Sequence, residues 1–139
     1  MSVTLRVRAA ALTAATAITG MSILTLVALA PSASAQSGGG GITKTGNCSA
    51  ATDWKLKVKT DNSRLESELE VDSNRNGQHW SFQITDNGAR VRSGVATTVA
   101  PSGSFEIRTI SANRAGRDNF VARARNTVTG EQCVGSLTF

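Results

Sequence analysis

Residues 78–85, Gln-His-Trp-Ser-Phe-Gln-Ile-Thr, alternate apolar and polar, and Asn76-Gly77 and Asn87-Gly88 stand at either end. An extended chain sends successive side chains to opposite faces. Trp80, Phe82 and Ile84 therefore share one face, and His79, Ser81 and Gln83 the other. Asn-Gly pairs tolerate the positive φ that a tight reversal between strands requires. This is the heaviest apolar strand in a chain whose aromatic residues are two Trp and four Phe. It is expected at the centre of the core.

The same period recurs on both sides of it. In residues 54–59, Trp54, Leu56 and Val58 face inward and Lys55, Lys57 and Lys59 outward. Residues 64–71 put Leu65, Ser67, Leu69 and Val71 inward, and Glu66, Glu68 and Glu70 outward. A turn over 60–63 would set Lys57 opposite Glu66 and Lys55 opposite Glu68. Such pairs contribute roughly 0.2–1 kcal/mol each and help to fix register. After Asn87-Gly88, a strand over 89–95 would bring Val91 against Ile84 and Ser93 against Phe82, with Arg90 and Arg92 outside. Three more strands follow, with Phe105, Ile107 and Thr109, then Phe120, Ala122 and Ala124, then Cys133, Leu137 and Phe139 inward. Seven short strands separated by turn signals, with no segment of helical period after the N-terminal run, predict an all-β fold. The expected form is a seven-stranded antiparallel β-sandwich of immunoglobulin-like architecture with one disulfide. The order Cys48, Trp80, Cys133 suits that architecture, although the cysteines lie outside the usual inter-sheet positions.

The domain is expected to follow a signal peptide over 1–35. Arg6 and Arg8 form a basic start, residues 9–30 are apolar and small, Pro31 breaks any helix, and Ala33-Ser34-Ala35 has the small-x-small pattern of a cleavage site. An uncleaved membrane anchor is the alternative, since the apolar run is long enough to span. Residues 36–47 read as a flexible linker, opening with Gln-Ser-Gly-Gly-Gly-Gly and continuing polar and irregular, and residues 48–139 as the β-domain. In an exported chain, two cysteines read as one disulfide, Cys48–Cys133.

Without Arg6 and Arg8, 13 of the 15 basic residues remain against 10 acidic ones, a net charge of +3. That is too mild for a nucleic-acid footprint. No membrane association is expected after cleavage, and the domain should be monomeric or weakly associating.

Several stretches together carry a resemblance: Gly46-Asn47-Cys48, Asp53-Trp54, Glu70-Val71-Asp72-Ser73-Asn74, Gly77 with Trp80, Asn87-Gly88, Pro101-Ser102-Gly103-Ser104-Phe105 and Thr129-Gly130-Glu131-Gln132-Cys133. The chain resembles a group of small secreted actinobacterial proteins with a signal peptide, one cysteine pair and a β-rich domain. The resemblance implies export and fold but no activity, and no functional residue follows from it.

Four stretches could carry chemistry. Asp72, Asn74 and Asn76, followed by Gly77, fit the first half of a calcium loop. The position for its bidentate glutamate is Gln83, inside the central strand, and Asn and Asp are also ordinary turn residues. Arg90, Arg92, Arg123 and Arg125, with Arg114 and Arg117 in a loop, would make a patch for anionic cell-wall polymer if one sheet face collects them. A solvated β surface explains the same residues. Catalysis has little to work with, because the sole histidine, His79, has no acid near it in sequence and no nucleophile-elbow pattern occurs. Pro101-Ser102-Gly103-Ser104 could present a loop to a protease or other protein, but the disulfide is too remote to brace it. These readings describe a secreted, non-catalytic binding or structural module needing no cofactor. Its expected partner is envelope polymer, with an extracellular protein bound by an inhibitor or effector as the alternative.

Overall fold

In the computed structural model, residues 40–139 are described. The expected signal peptide and residues 36–39 of the linker lie outside them. Eight strands form: β1 (Ile42–Asn47), β2 (Asp53–Asp61), β3 (Arg64–Asp72), β4 (His79–Asp86), β5 (Ala89–Thr97), β6 (Ser104–Ala112), β7 (Asn119–Asn126) and β8 (Gln132–Thr138). They make two four-stranded antiparallel sheets in a sandwich-like pair, ordered β1-β2-β3-β6 and β5-β4-β7-β8.

The alternation read from the sequence builds the core. Leu56, Val58, Leu65, Leu69, Val71 and Phe105 from the first sheet meet Trp80, Phe82, Ile84, Phe120, Ala122, Ala124 and Leu137 from the second, all buried. At its centre Trp80 is completely buried, with its ring centroid 6.5 Å from that of Phe105.

The structure corrects the expected strand count and both expected registers. Residues 42–47, expected to be the end of the flexible linker, are strand β1, making eight strands where seven were expected. They pair with β2 from Ile42 opposite Val58 to Asn47 opposite Asp53. The turn between β2 and β3 is two residues, not four, because Asn62 (φ 46°) and Ser63 (φ 64°) take the left-handed conformation that a tight hairpin needs. Lys59, Lys57 and Lys55 therefore face Glu66, Glu68 and Glu70. A slip of two residues keeps every side chain on its expected face.

In the β4–β5 hairpin a bulge moves the pairing by one beyond Thr85 and Arg90. Ile84 then faces Arg92, and Phe82 faces Gly94, in place of Val91 and Ser93. Packing favours this register, since a Cβ at position 94 would already sit 3.2 Å from the Phe82 ring. The bulge also separates Arg90, opposite outward-facing Thr85, from Arg92, opposite inward-facing Ile84.

The Cys48–Cys133 disulfide forms as expected, joining the β1–β2 loop to β8 with a Cα–Cα distance of 4.2 Å. Two hydrogen bonds run beside it: Ser49 N donates to Gln132 O at 2.7 Å, and Gln132 N donates to the Ser49 side chain, Oγ, at 2.9 Å. The Trp54 ring is wedged between Gly46 of β1 and Gly135 of β8. A Cβ on either glycine would come within 2.7 Å of it, so a larger residue at Gly46 would displace the ring and one at Gly135 would push the two sheets apart here.

Candidate functional site

The outer faces of the two sheets differ in charge. On the first, the lysine stripe of β2 lies against the glutamate stripe of β3, and Arg108 of β6 completes the lattice. Lys59 Nζ is 3.1 Å from Glu66, Lys55 is paired with Glu70, and Arg108 Nε lies 3.2 Å from Glu68 and 2.6 Å from Glu106. The bond to Glu70 raises the Lys55 amine above its ordinary value, outweighing partial desolvation. Glu68, Glu70 and Glu106 come close enough to share a cation, but Arg108 and Lys55 already answer them. This face neutralises itself.

The second sheet has the opposite character. Its outward positions are His79, Ser81, Gln83 and Thr85 on β4, Arg90, Ser93 and Val95 on β5, Val121, Arg123 and Arg125 on β7, and Gln132, Val134 and Ser136 on β8. No carboxylate is among them. Arg123 stands between Gln83 and Val134, and Arg125 between Ser81 and Gln132. The two guanidinium stems leave β7 about 6.6 Å apart, the two-residue repeat of a strand. With Ser81, Gln83, Gln132 and Val134 they line a shallow groove of about 310 Å³. Among the described residues, no ion pair involves Arg90, Arg92, Arg123 or Arg125.

The expected patch is thus partly brought together. Arg123, Arg125 and Arg90 share the outer face, while the bulge removes Arg92 from that stripe, although its side chain is still exposed. Arg114 lies elsewhere, with Nη1 3.8 Å from the Asp86 carboxylate.

The expected calcium loop behaves as a turn. Asp72 Oδ1 accepts the Asn74 amide at 3.1 Å, Asn74 is left-handed (φ 55°), and Ser73 Oγ lies 3.0 Å from Gly103 O. Thr98 Oγ1 donates to Arg75 O at 2.5 Å, so the 73–77 loop is tied down by the chain after β5. His79 Nδ1 is 3.0 Å from Thr97 Oγ1 and has no carboxylate partner. The Pro101–Ser104 stretch is a turn with a cis Ala100–Pro101 bond, and Ser102 and Ser104 hydroxyls are bonded to each other at 2.7 Å.

One cluster escaped the sequence reading. Asp86 and Asp118 are both fully buried at the end of the sandwich away from the disulfide. Burial pushes the Asp86 carboxyl above the usual range, and Asp118 adds to this, while Ser111 and Arg114 act against it. The signal was present in the alternation: Asp86 continues the inward series Trp80, Phe82, Ile84, and Asp118 the series Phe120, Ala122, Ala124.

Comparison with protein-family models, curated proteins and solved structures returned no match.

Proposed function

We propose that this is a secreted, non-catalytic binding module that uses the outer face of its second sheet to hold anionic extracellular polymer, with cell-wall polymer as the first candidate. The carrying observation is the asymmetry of charge. Lys55, Lys59 and Arg108 are consumed by glutamates on one face, whereas Arg90, Arg123 and Arg125 stand on the other without a counter-charge. Guanidinium groups spaced along a strand suit a polymer with repeated anionic groups, and the unneutralised field favours its approach. The disulfide supports an oxidising compartment, in keeping with the export expected from residues 1–35.

Immunoglobulin-like architecture is part of this proposal. The order β5-β4-β7-β8 matches the C′-C-F-G sheet of such domains, and the buried Trp80 then falls on the C strand. The disulfide departs from that pattern, since it reaches from the β1–β2 loop to β8. Membership of the small secreted actinobacterial group remains a proposal on the same footing. A protein partner is the second reading, favoured by Val95 and Val134, which are 67% and 50% exposed on the arginine face.

Co-sedimentation with purified actinobacterial cell walls tests the first reading. Binding should weaken as salt rises, because exposed charges are screened. Arg123→Gln with Arg125→Gln should lower affinity about 3–10-fold at low salt, as exposed ion pairs contribute up to about 1 kcal/mol each. Binding that ignores both salt and these substitutions would contradict the reading.

A further inference from the structure

At the end of the sandwich opposite the disulfide, three oxygen-bearing side chains from three strands or strand ends meet in the interior. Asp86 closes β4, Asp118 precedes β7, and Ser111 comes from β6 in the other sheet. They are 0%, 1% and 6% exposed. Both Asp86 carboxylate oxygens lack a hydrogen-bond partner, and so does Ser111 Oγ. Ser111 lies near enough to influence the Asp86 carboxyl without meeting hydrogen-bond geometry. Asp118 is better served: its Oδ1 accepts from Asn87 Nδ2 at 2.9 Å, while Oδ2 receives only the long Arg114 amide bond at 3.4 Å. The Arg114 guanidinium, half-exposed, lies 3.8 Å from Asp86 Oδ2, too far for a hydrogen bond.

Two buried carboxylates side by side, one without a hydrogen bond and with only the distant Arg114 guanidinium as counter-charge, are costly to keep ionised and must be offset by a proton or a cation. The buried, unpartnered Ser111 hydroxyl beside Asp86, from the opposite sheet, is an independent observation, because it adds a neutral oxygen donor and no charge. We propose that Asp86, Asp118 and Ser111 form a binding site for a hard divalent cation, calcium in the first instance. The donors are all oxygen, with no imidazole or thiolate, which excludes the preferences of zinc and copper. A carboxylate with two free oxygens can bind a large cation in bidentate fashion, and calcium tolerates the irregular geometry.

The backbone around the site is already held. Asp118 and Phe139 exchange backbone bonds of 3.1 and 2.9 Å, and Asn87 N donates to Asn119 O at 2.9 Å. A cation would therefore join the β4 and β7 ends to β6, linking the sheets at the end that has no disulfide. Arg114, on the solvent side, is its competitor for Asp86.

The test is calorimetric titration of chelator-treated protein with calcium chloride, alongside thermal unfolding with and without calcium. Calcium should bind with Kd of about 10⁻⁴–10⁻³ M, as in extracellular modules. At about a hundred times Kd it should raise Tm by on the order of 10–20 °C. Magnesium, which needs tighter octahedral geometry, should bind more weakly. Asp86→Asn and Asp118→Asn should abolish the calcium shift, whereas Asp72→Asn should retain it. If the aspartate variants fail to fold, Ser111→Ala provides the milder comparison and should weaken binding several-fold. Absence of calcium heat and of any Tm shift in the unmodified protein would overturn the proposal. A shift that survives Asp86→Asn, or disappears in Asp72→Asn alone, would overturn it equally.

Discussion

Reducing the Cys48–Cys133 bond is expected to lower the unfolding free energy by about 4–5 kcal/mol, the chain-entropy value for a loop of this size. The bonded residues lie 85 positions apart, so the open chain regains most of the freedom of the domain. For a fold whose net stability is on the order of 5–15 kcal/mol this is a large share. It corresponds to a fall in Tm on the order of 15–30 °C. The effect should be felt structurally at β1, an edge strand whose side chains are nearly all exposed and which pairs with β2 alone. Thermal unfolding followed by circular dichroism, with and without reductant, gives the comparison. The double variant Cys48→Ala, Cys133→Ala should reproduce the reduced protein. An unchanged midpoint would mean that the two sheets are held by their packing alone.

Replacing Trp80 by alanine should cost about 3–5 kcal/mol, the range for emptying a large aromatic site in a packed core. Its ring is wholly enclosed and packs against Phe105 of the opposite sheet. Trp80→Phe should cost much less. Trp80 Nε1 is buried without an acceptor, and a partnerless donor costs about 1–3 kcal/mol. Phenylalanine removes that penalty while retaining most of the apolar contact. Urea denaturation of the two variants measures both quantities. Equal losses for alanine and phenylalanine would show that the indole N–H finds a partner in solution.

The inward faces of β2, β3, β4, β7 and β8 were legible because their apolar residues alternate and one side is buried. Leu56, Val58, Leu69, Phe105 and Phe120 all lie where alternation places them. β1 was not legible for the complementary reason. Thr43, Lys44, Thr45 and Asn47 are all exposed, so burial imposes no pattern, and the strand is held by backbone pairing that leaves no mark on side-chain identity. Register was lost where it depends on a detail of turn geometry. Asn62 and Ser63 adopt positive φ although neither is glycine, and the β5 bulge answers the bulk of Phe82 opposite Gly94. The arginine face was legible in part. Arg123 and Arg125 are two apart on a regular strand and must share a face, whereas the same spacing in Arg90 and Arg92 spans the bulge. The buried aspartates followed the inward parity to its end, beyond the point where apolar residues made it conspicuous.

The most direct test of the arginine-face account is an NMR titration of the isotope-labelled protein with a soluble polyanionic cell-wall fragment. The predicted result is a set of amide shifts concentrated on Ser81, Gln83, Arg123, Arg125, Gln132 and Val134, collapsing at high salt, while the ion-paired face around Lys55 and Glu68 stays unmoved. Shifts confined to the first sheet or to the loops beside the disulfide, or none at millimolar fragment, would contradict it.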